Sequence, residues 1–122
     1  MKLTTYQELA IGYNAHALAN LRLPNEPTAH VSNGEETLDL TLTGDEVTMI
    51  TISATDPKAK AYGTTFMAFE HGMDWGSINF YNAYKASLVQ PNEVIIGKAH
   101  GLIAEHVFDG AGLIVKIYPD TK

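Results

Sequence analysis

Hydrophobic positions change period along the chain, and each change marks an element. Leu9, Tyr13, Ala17 and Leu21 recur at helical spacing behind Thr5 and Glu8, a pair separated as in a capping box. Pro24 and Pro27 end that run, so a helix is predicted over about 5–22. The period then drops to two. Leu38, Leu40 and Leu42 alternate with Asp39, Thr41 and Thr43, and after the Gly44-Asp45 turn Val47, Met49 (with Ile50) and Ile52 alternate with Thr48, Thr51 and Ser53. Such alternation is that of strands buried on one face. The single amphipathic helix must cover the rest of the domain or a second subunit.

The polar tract Asp56–Ala61, with Pro57, reads as a hairpin loop returning into a third strand over Tyr62–Phe69, which is rich in aromatic and β-branched residues. A glycine-punctuated link, 70–76, leads to Ser77 as helix cap and to Ile78, Tyr81, Ala83/Tyr84 and Leu88 at three-to-four spacing. This second helix ends before Pro91. The run from Val94 to Phe108, the Asp109-Gly110 turn and Leu113–Tyr118 form a closing hairpin. The expected fold is α+β, mostly β: a single domain over 1–122 with an N-terminal helix and, over about 28–119, a small five-stranded antiparallel barrel of the oligonucleotide/oligosaccharide-binding (OB) type with one inserted helix. A strand–helix–strand crossover also suits other small α+β folds.

The 122 residues hold no cysteine, which excludes disulfides, thiolate metal sites and a cysteine nucleophile. No apolar run reaches the roughly 18 residues of a membrane span, and the Met1–Gln7 start lacks the apolar centre of a secretory signal. A cytoplasmic domain is expected. The net charge of −6 at first opposes nucleic acid, but it is unevenly distributed. Residues 1–57 carry Lys2 and Arg22 against eight carboxylates, whereas residues 58–122 carry six lysines against six. The second part also holds Trp75, all four Phe and four of the six Tyr.

Catalytic patterns are absent from the sequence. There is no Gly-x-Ser-x-Gly elbow, and Gly110-Ala111-Gly112 lacks the third glycine and following helix of a dinucleotide loop. His100 and His106, placed on one predicted strand, stand roughly 20 Å apart, too far to share an ion. Glu35-Glu36 and Asp45-Glu46 sit beside turn glycines as solvated charges. No catalytic residue, metal or cofactor is assigned.

Single-stranded nucleic acid is the better match, since such sites pair a basic groove with aromatic rings on which bases stack. The candidate rings are Tyr62, Phe66, Trp75, Tyr81 and Tyr84, with Phe69 and Phe80 as further aromatics of the same half. Lys58, Lys60, Lys85 and Lys98 are the candidate phosphate partners, with Lys116 as a further lysine of the same half; Lys58 and Lys60 share a loop tip, and Trp75 follows a flexible link. Two or three of the rings are expected to stack bases and the others to pack the fold. Counterion release depends on the lysines touching phosphate, not on net charge.

The stretch Ile96-Gly97-Lys98-Ala99-His100-Gly101 through Phe108-Asp109-Gly110 to Ile117-Tyr118-Pro119 resembles the end of small phage-type single-stranded DNA-binding proteins. The likeness covers about the last half of the chain. It implies an OB-type fold, a single DNA strand as partner, and a non-catalytic role in phage or plasmid replication and recombination. The N-terminal helix has no counterpart in that pattern, and the ending Pro119-Asp120-Thr121-Lys122 is not the acidic, aromatic-tipped tail of cellular single-strand-binding proteins. Two other readings stand beside it: a small phage structural or assembly protein that oligomerises, and a small enzyme or ligand-binding barrel using His71, His100 or His106. A homo-oligomer, dimer or higher, is expected.

Overall fold

The computed structural model describes residues 3–120. Lys2 and Lys122 of the charge balance, and the Met1 start, lie outside them. The order is β1 (Thr4–Thr5), α1 (Tyr6–Asn14), β2 (His30–Ser32), β3 (Glu36–Thr43), β4 (Glu46–Ala54), α2 (Lys60–Met73), α3 (Ile78–Val89), β5 (Ile95–Ala99), β6 (Leu102–Phe108) and β7 (Leu113–Pro119). All strand pairs are antiparallel, and the sheet runs β2-β3-β4-β7-β6-β5. Two meanders therefore join at β4 and β7. β1 extends the β7 side of β4, pairing at Val47 and Glu46 where β7 no longer reaches.

One sheet face is covered. Leu38 and Leu40, Ile50 and Ile52, Leu102 and Ala104, and Val115 and Ile117 are buried on it. The intervening Asp39, Thr41, Lys116 and Ile114 are exposed, as one-sided burial at period two requires. A bulge resolves the doubled apolar positions of β4. Thr41 pairs with Met49 and Leu42 with Val47, leaving Thr48 extra, so Val47 and Ile50 both face the core. Met49 consequently turns outward and is only partly buried.

Four expectations are corrected. The predicted strand Tyr62–Phe69 is the middle of α2, and the predicted hairpin loop before it is a turn: the Asp56 carboxylate accepts the Lys58 amide at 3.2 Å and its carbonyl the Ala59 amide at 3.1 Å. Tyr62, Thr65 and Phe69, all buried, fall on one helical face; a strand would have put Tyr62 and Phe69 on opposite faces. With α2 and α3 both inserted, the sheet is open, and β2 and β5 are edges that do not meet to close a five-stranded barrel. The N-terminal helix stops at Asn14 rather than near 22, because the Asn14 side-chain amide bonds both the carbonyl and the amide of Leu23, at 2.7 and 2.8 Å, and holds the chain folded back. The long strand-like run 94–108 divides at His100-Gly101, both left-handed, in the two-residue turn that joins β5 to β6. His100 is thus in a turn, not on a strand with His106.

The helices form the second layer. α1 crosses α2 at Gly12 and Gly72, and the Tyr13 ring stacks on Phe69 at 4.3 Å. α1 therefore covers α2 within the chain, which answers the question of what its apolar stripe packs against. α3 lies over β5, where Gly97 leaves room for Phe80 and the Asn79 carbonyl. Thr5 does cap α1: its Oγ1 accepts the Glu8 amide at 3.3 Å while its hydroxyl donates to the Glu8 carboxylate at 3.0 Å. Thr5→Ala is expected to cost about 1 kcal/mol, read as a lower urea midpoint at unchanged slope.

Candidate functional site

The turn of α2 that overturns the predicted strand also assembles the site. Tyr62, Phe66 and Met67 project from α2, and Phe80, Tyr81 and Tyr84 from α3, around a cleft of about 370 Å³ whose lining is mainly apolar. That is within the range of small-ligand pockets. The rings form a continuous set. Tyr62 stacks on Tyr84 at 5.5 Å, Phe66 meets Phe80 edge-on at 6.3 Å, and Tyr81 lies 6.4 Å from Tyr84. The Tyr84 hydroxyl donates to the Pro57 carbonyl, tying α3 to the turn that starts α2.

Positive charge surrounds this apolar floor. Lys58 and Lys60, both exposed, line the cleft beside the N-terminus of α2, which has no side-chain cap. Lys85 holds its Nζ 5.5 Å from the centre of the Tyr81 ring. Glu70 is the carboxylate of the lining; burial pushes its carboxyl above the usual range, opposed by the Ser77 amide, which it accepts at 3.3 Å, and by His71. Tyr62 is buried and its hydroxyl has no hydrogen-bond partner; burial, then the influence of Tyr84, Glu36 and Glu70, pushes that hydroxyl well up. It stays protonated at neutral pH.

Six of the nine sequence candidates, Lys58, Lys60, Tyr62, Phe66, Tyr81 and Tyr84, share this cleft, and Lys85 joins them through Tyr81. Of the rings, Tyr81 at 54% exposure is the open face, whereas Tyr62 lies beneath Tyr84 as wall. Trp75 and Lys98 are elsewhere. Trp75 is half-buried against the core beside Phe69, Leu102 and Ile117, so the link it follows does not expose it. Lys98 lies on β5, on the other side of α3, with its carbonyl accepting the Asn79 side chain at 2.8 Å. Met67 and Glu70 were missed by sequence reasoning; both follow from Gly63 and Phe66 at three-to-four spacing once the segment is a helix.

The histidines do not converge. His71 is exposed near His16, His100 bonds the Gly76 carbonyl at 2.6 Å, and His106 is fully buried. Among the described residues no three His, Asp or Glu side chains are grouped to hold a metal ion, and no helix is long and apolar enough to cross a membrane. No family model, curated protein or solved structure matches the chain.

Proposed function

We propose that the protein is a non-catalytic binding module for single-stranded DNA, with the α2–α3 cleft as its contact point. A base enters against Tyr81 and the Phe66 edge, and the flanking phosphates meet Lys58, Lys60 and Lys85. The observation that carries this reading is the convergence of an aromatic floor and two lysines, Lys58 and Lys60, on one concave surface of an otherwise acidic chain, with Lys85 beside the Tyr81 ring at its rim. Such a site matches stacking plus backbone neutralisation, the two terms of single-strand binding. Its size suits one or two nucleotides rather than a long wrapped strand. The expected role in phage or plasmid replication and recombination rests on the C-terminal resemblance alone.

Titration of labelled oligo-dT and of a duplex at low salt tests the reading. Micromolar protein is expected to bind the single strand and not the duplex. Tyr81→Ala is expected to weaken binding about tenfold, the lower end of a stacking contribution of about 1–3 kcal/mol. Lys58→Ala with Lys60→Ala is expected to flatten the logarithmic salt slope by about 1.4 for two phosphate contacts. Absence of single-strand binding, equal duplex binding, or a Tyr81→Ala protein that binds as well as the parent rejects the proposal.

A further inference from the structure

Among the described residues Glu70 is the one carboxylate lining the α2–α3 cleft, and phosphate contacts alone do not call for it. It follows Lys60 by ten residues on α2, about 15 Å of helix, so the cleft has a basic end and an acidic end. Gly63 and Met67 lie between the two at three-to-four spacing, on the same side of the helix. A Cβ at Gly63 would meet nothing within 4 Å, and Met67 is an exposed, flexible thioether, so the path from one end to the other is open. A nucleotide laid along this path with its phosphate toward the lysines turns its base edge to Glu70.

One oxygen of Glu70 already has a structural task. Oε2 accepts the Ser77 amide at 3.3 Å, where the chain enters α3, and this bond holds the half-buried carboxylate in place. An ionised carboxylate has about four acceptor positions and no donor. Other oxygens of the lining are committed: the Tyr84 hydroxyl donates to the Pro57 carbonyl, the Thr64 hydroxyl to the Lys60 carbonyl at 3.1 Å, and the Tyr62 hydroxyl is buried. The acidic end therefore offers a base a fixed pure acceptor.

The four bases differ in what they bring to such a group. Thymine has a single ring N–H between two carbonyl oxygens, which a carboxylate repels. Adenine and cytosine each place one amino group beside an acceptor nitrogen. Guanine alone presents two adjacent donors, N1–H and the N2 amino group, which match the two oxygens of a carboxylate. Single strands expose these edges, because their bases are unpaired. We infer that the cleft selects guanine, with Glu70 accepting from N1 and N2 while the base lies against Tyr81. Glu70 is then the specificity-determining residue of the site. The inference rests on the single-strand reading of the cleft.

Titration of eight-nucleotide single strands in which thymine alternates with guanine, adenine, cytosine or inosine, beside all-thymine, is the test. A bidentate base contact supports a preference of about tenfold per nucleotide. With guanine at every second position, the guanine strand is expected to bind about fivefold more tightly than the all-thymine strand. Inosine, which lacks the N2 amino group, is expected to lose most of that gain. Glu70→Gln keeps an oxygen for the Ser77 amide but replaces the second acceptor with a donor. It is expected to bring all five strands within about twofold of one another, with all-thymine bound no more weakly than by the parent. Binding of all-thymine without a guanine preference overturns the inference and leaves the cleft reading standing. Full retention of the preference by inosine or by Glu70→Gln overturns it in the same way, as does a Glu70→Gln protein that binds every strand equally less well than the parent does. Failure to bind any single strand removes the cleft reading itself, and the inference with it.

Discussion

Gly72→Ala is expected to destabilise the protein by about 3 kcal/mol, the upper end of the usual cost of overpacking. A Cβ at Gly72 stands 2.1 Å from the Gly12 carbonyl oxygen and 2.9 Å from the Tyr13 nitrogen, and a Cβ at Gly12 stands 2.4 Å from the Gly72 oxygen. Those atoms are backbone and cannot rotate away. The helices must separate, and separation disturbs the Tyr13–Phe69 stack and the seating of Leu9 and Tyr13, both without exposed surface. The same substitution at Gly63, also inside α2, meets nothing within 4 Å. There alanine's helix propensity acts alone, and Gly63→Ala is expected to stabilise by about 0.5–1 kcal/mol. Urea unfolding of both variants gives the comparison. Equal effects of the two substitutions contradict the close crossing of α1 and α2.

That contrast also shows why α2 was misread. Tyr62, Thr64, Thr65, Phe66 and Phe69 favour strands one by one, and local propensity gives way wherever tertiary burial pays more. What decides the segment is the sheet beneath it: the face holding Ile50, Ile52, Val115 and Ile117 needs cover, and Phe66 and Phe69 of α2 lie against Leu102, Ala104 and Ile117 of that face. β3 and β4 were legible because their burial is one-sided, and α3 because Ser77 caps it, accepting the Asn79 amide at 3.1 Å. The β5–β6 turn was hidden because Gly101 alone marked the place: His100 also takes a positive φ, which few non-glycine residues adopt, although histidine does so more often than most. For the cleft, the residue types were legible from the aromatic and lysine enrichment after residue 57. Their meeting was not, because it depends on the helical turn that sets Tyr62 and Phe66 beside Tyr84 and Phe80. Trp75 shows the same limit from the other side, since its burial depends on Leu102 and Ile117, distant in sequence.

Acidification from pH 7 to pH 4 is expected to cost the fold roughly 3 kcal/mol at a single residue, His106. Its ring has no exposed surface and lies 6.1 Å from Phe66; Nδ1 is 3.2 Å from the Ala104 carbonyl, and Nε2 has no partner. Burial pushes the imidazole down to about 4, against the pull of the Ala104 and Ile95 carbonyls. The folded value therefore lies below the unfolded value of about 6.5, so the unfolded chain takes up a proton that the folded chain refuses. The stabilising contribution is fully present above pH 6.5 and is lost as pH falls through the interval down to about 4. Glu36 works in the opposite sense. Both its oxygens are buried without a partner, and burial pushes the carboxyl above the usual range, with the Glu35 charge adding and the Thr65 hydroxyl opposing. Its contribution is full below about pH 4.5 and declines as pH rises through the raised value. His106→Leu keeps a side chain of similar size, removes the orphaned nitrogen, and is expected to abolish most of the stability loss between pH 6.5 and 4 while changing stability at pH 7 by less than about 1.5 kcal/mol. Glu36→Gln is expected to steepen that acid limb, because it removes an opposing contribution and raises stability at pH 7 relative to pH 4. Urea unfolding at half-unit steps of pH separates the two. A His106→Leu profile parallel to that of the parent means that the acid sensitivity arises elsewhere, among the carboxylates, and that this imidazole titrates alike in both states.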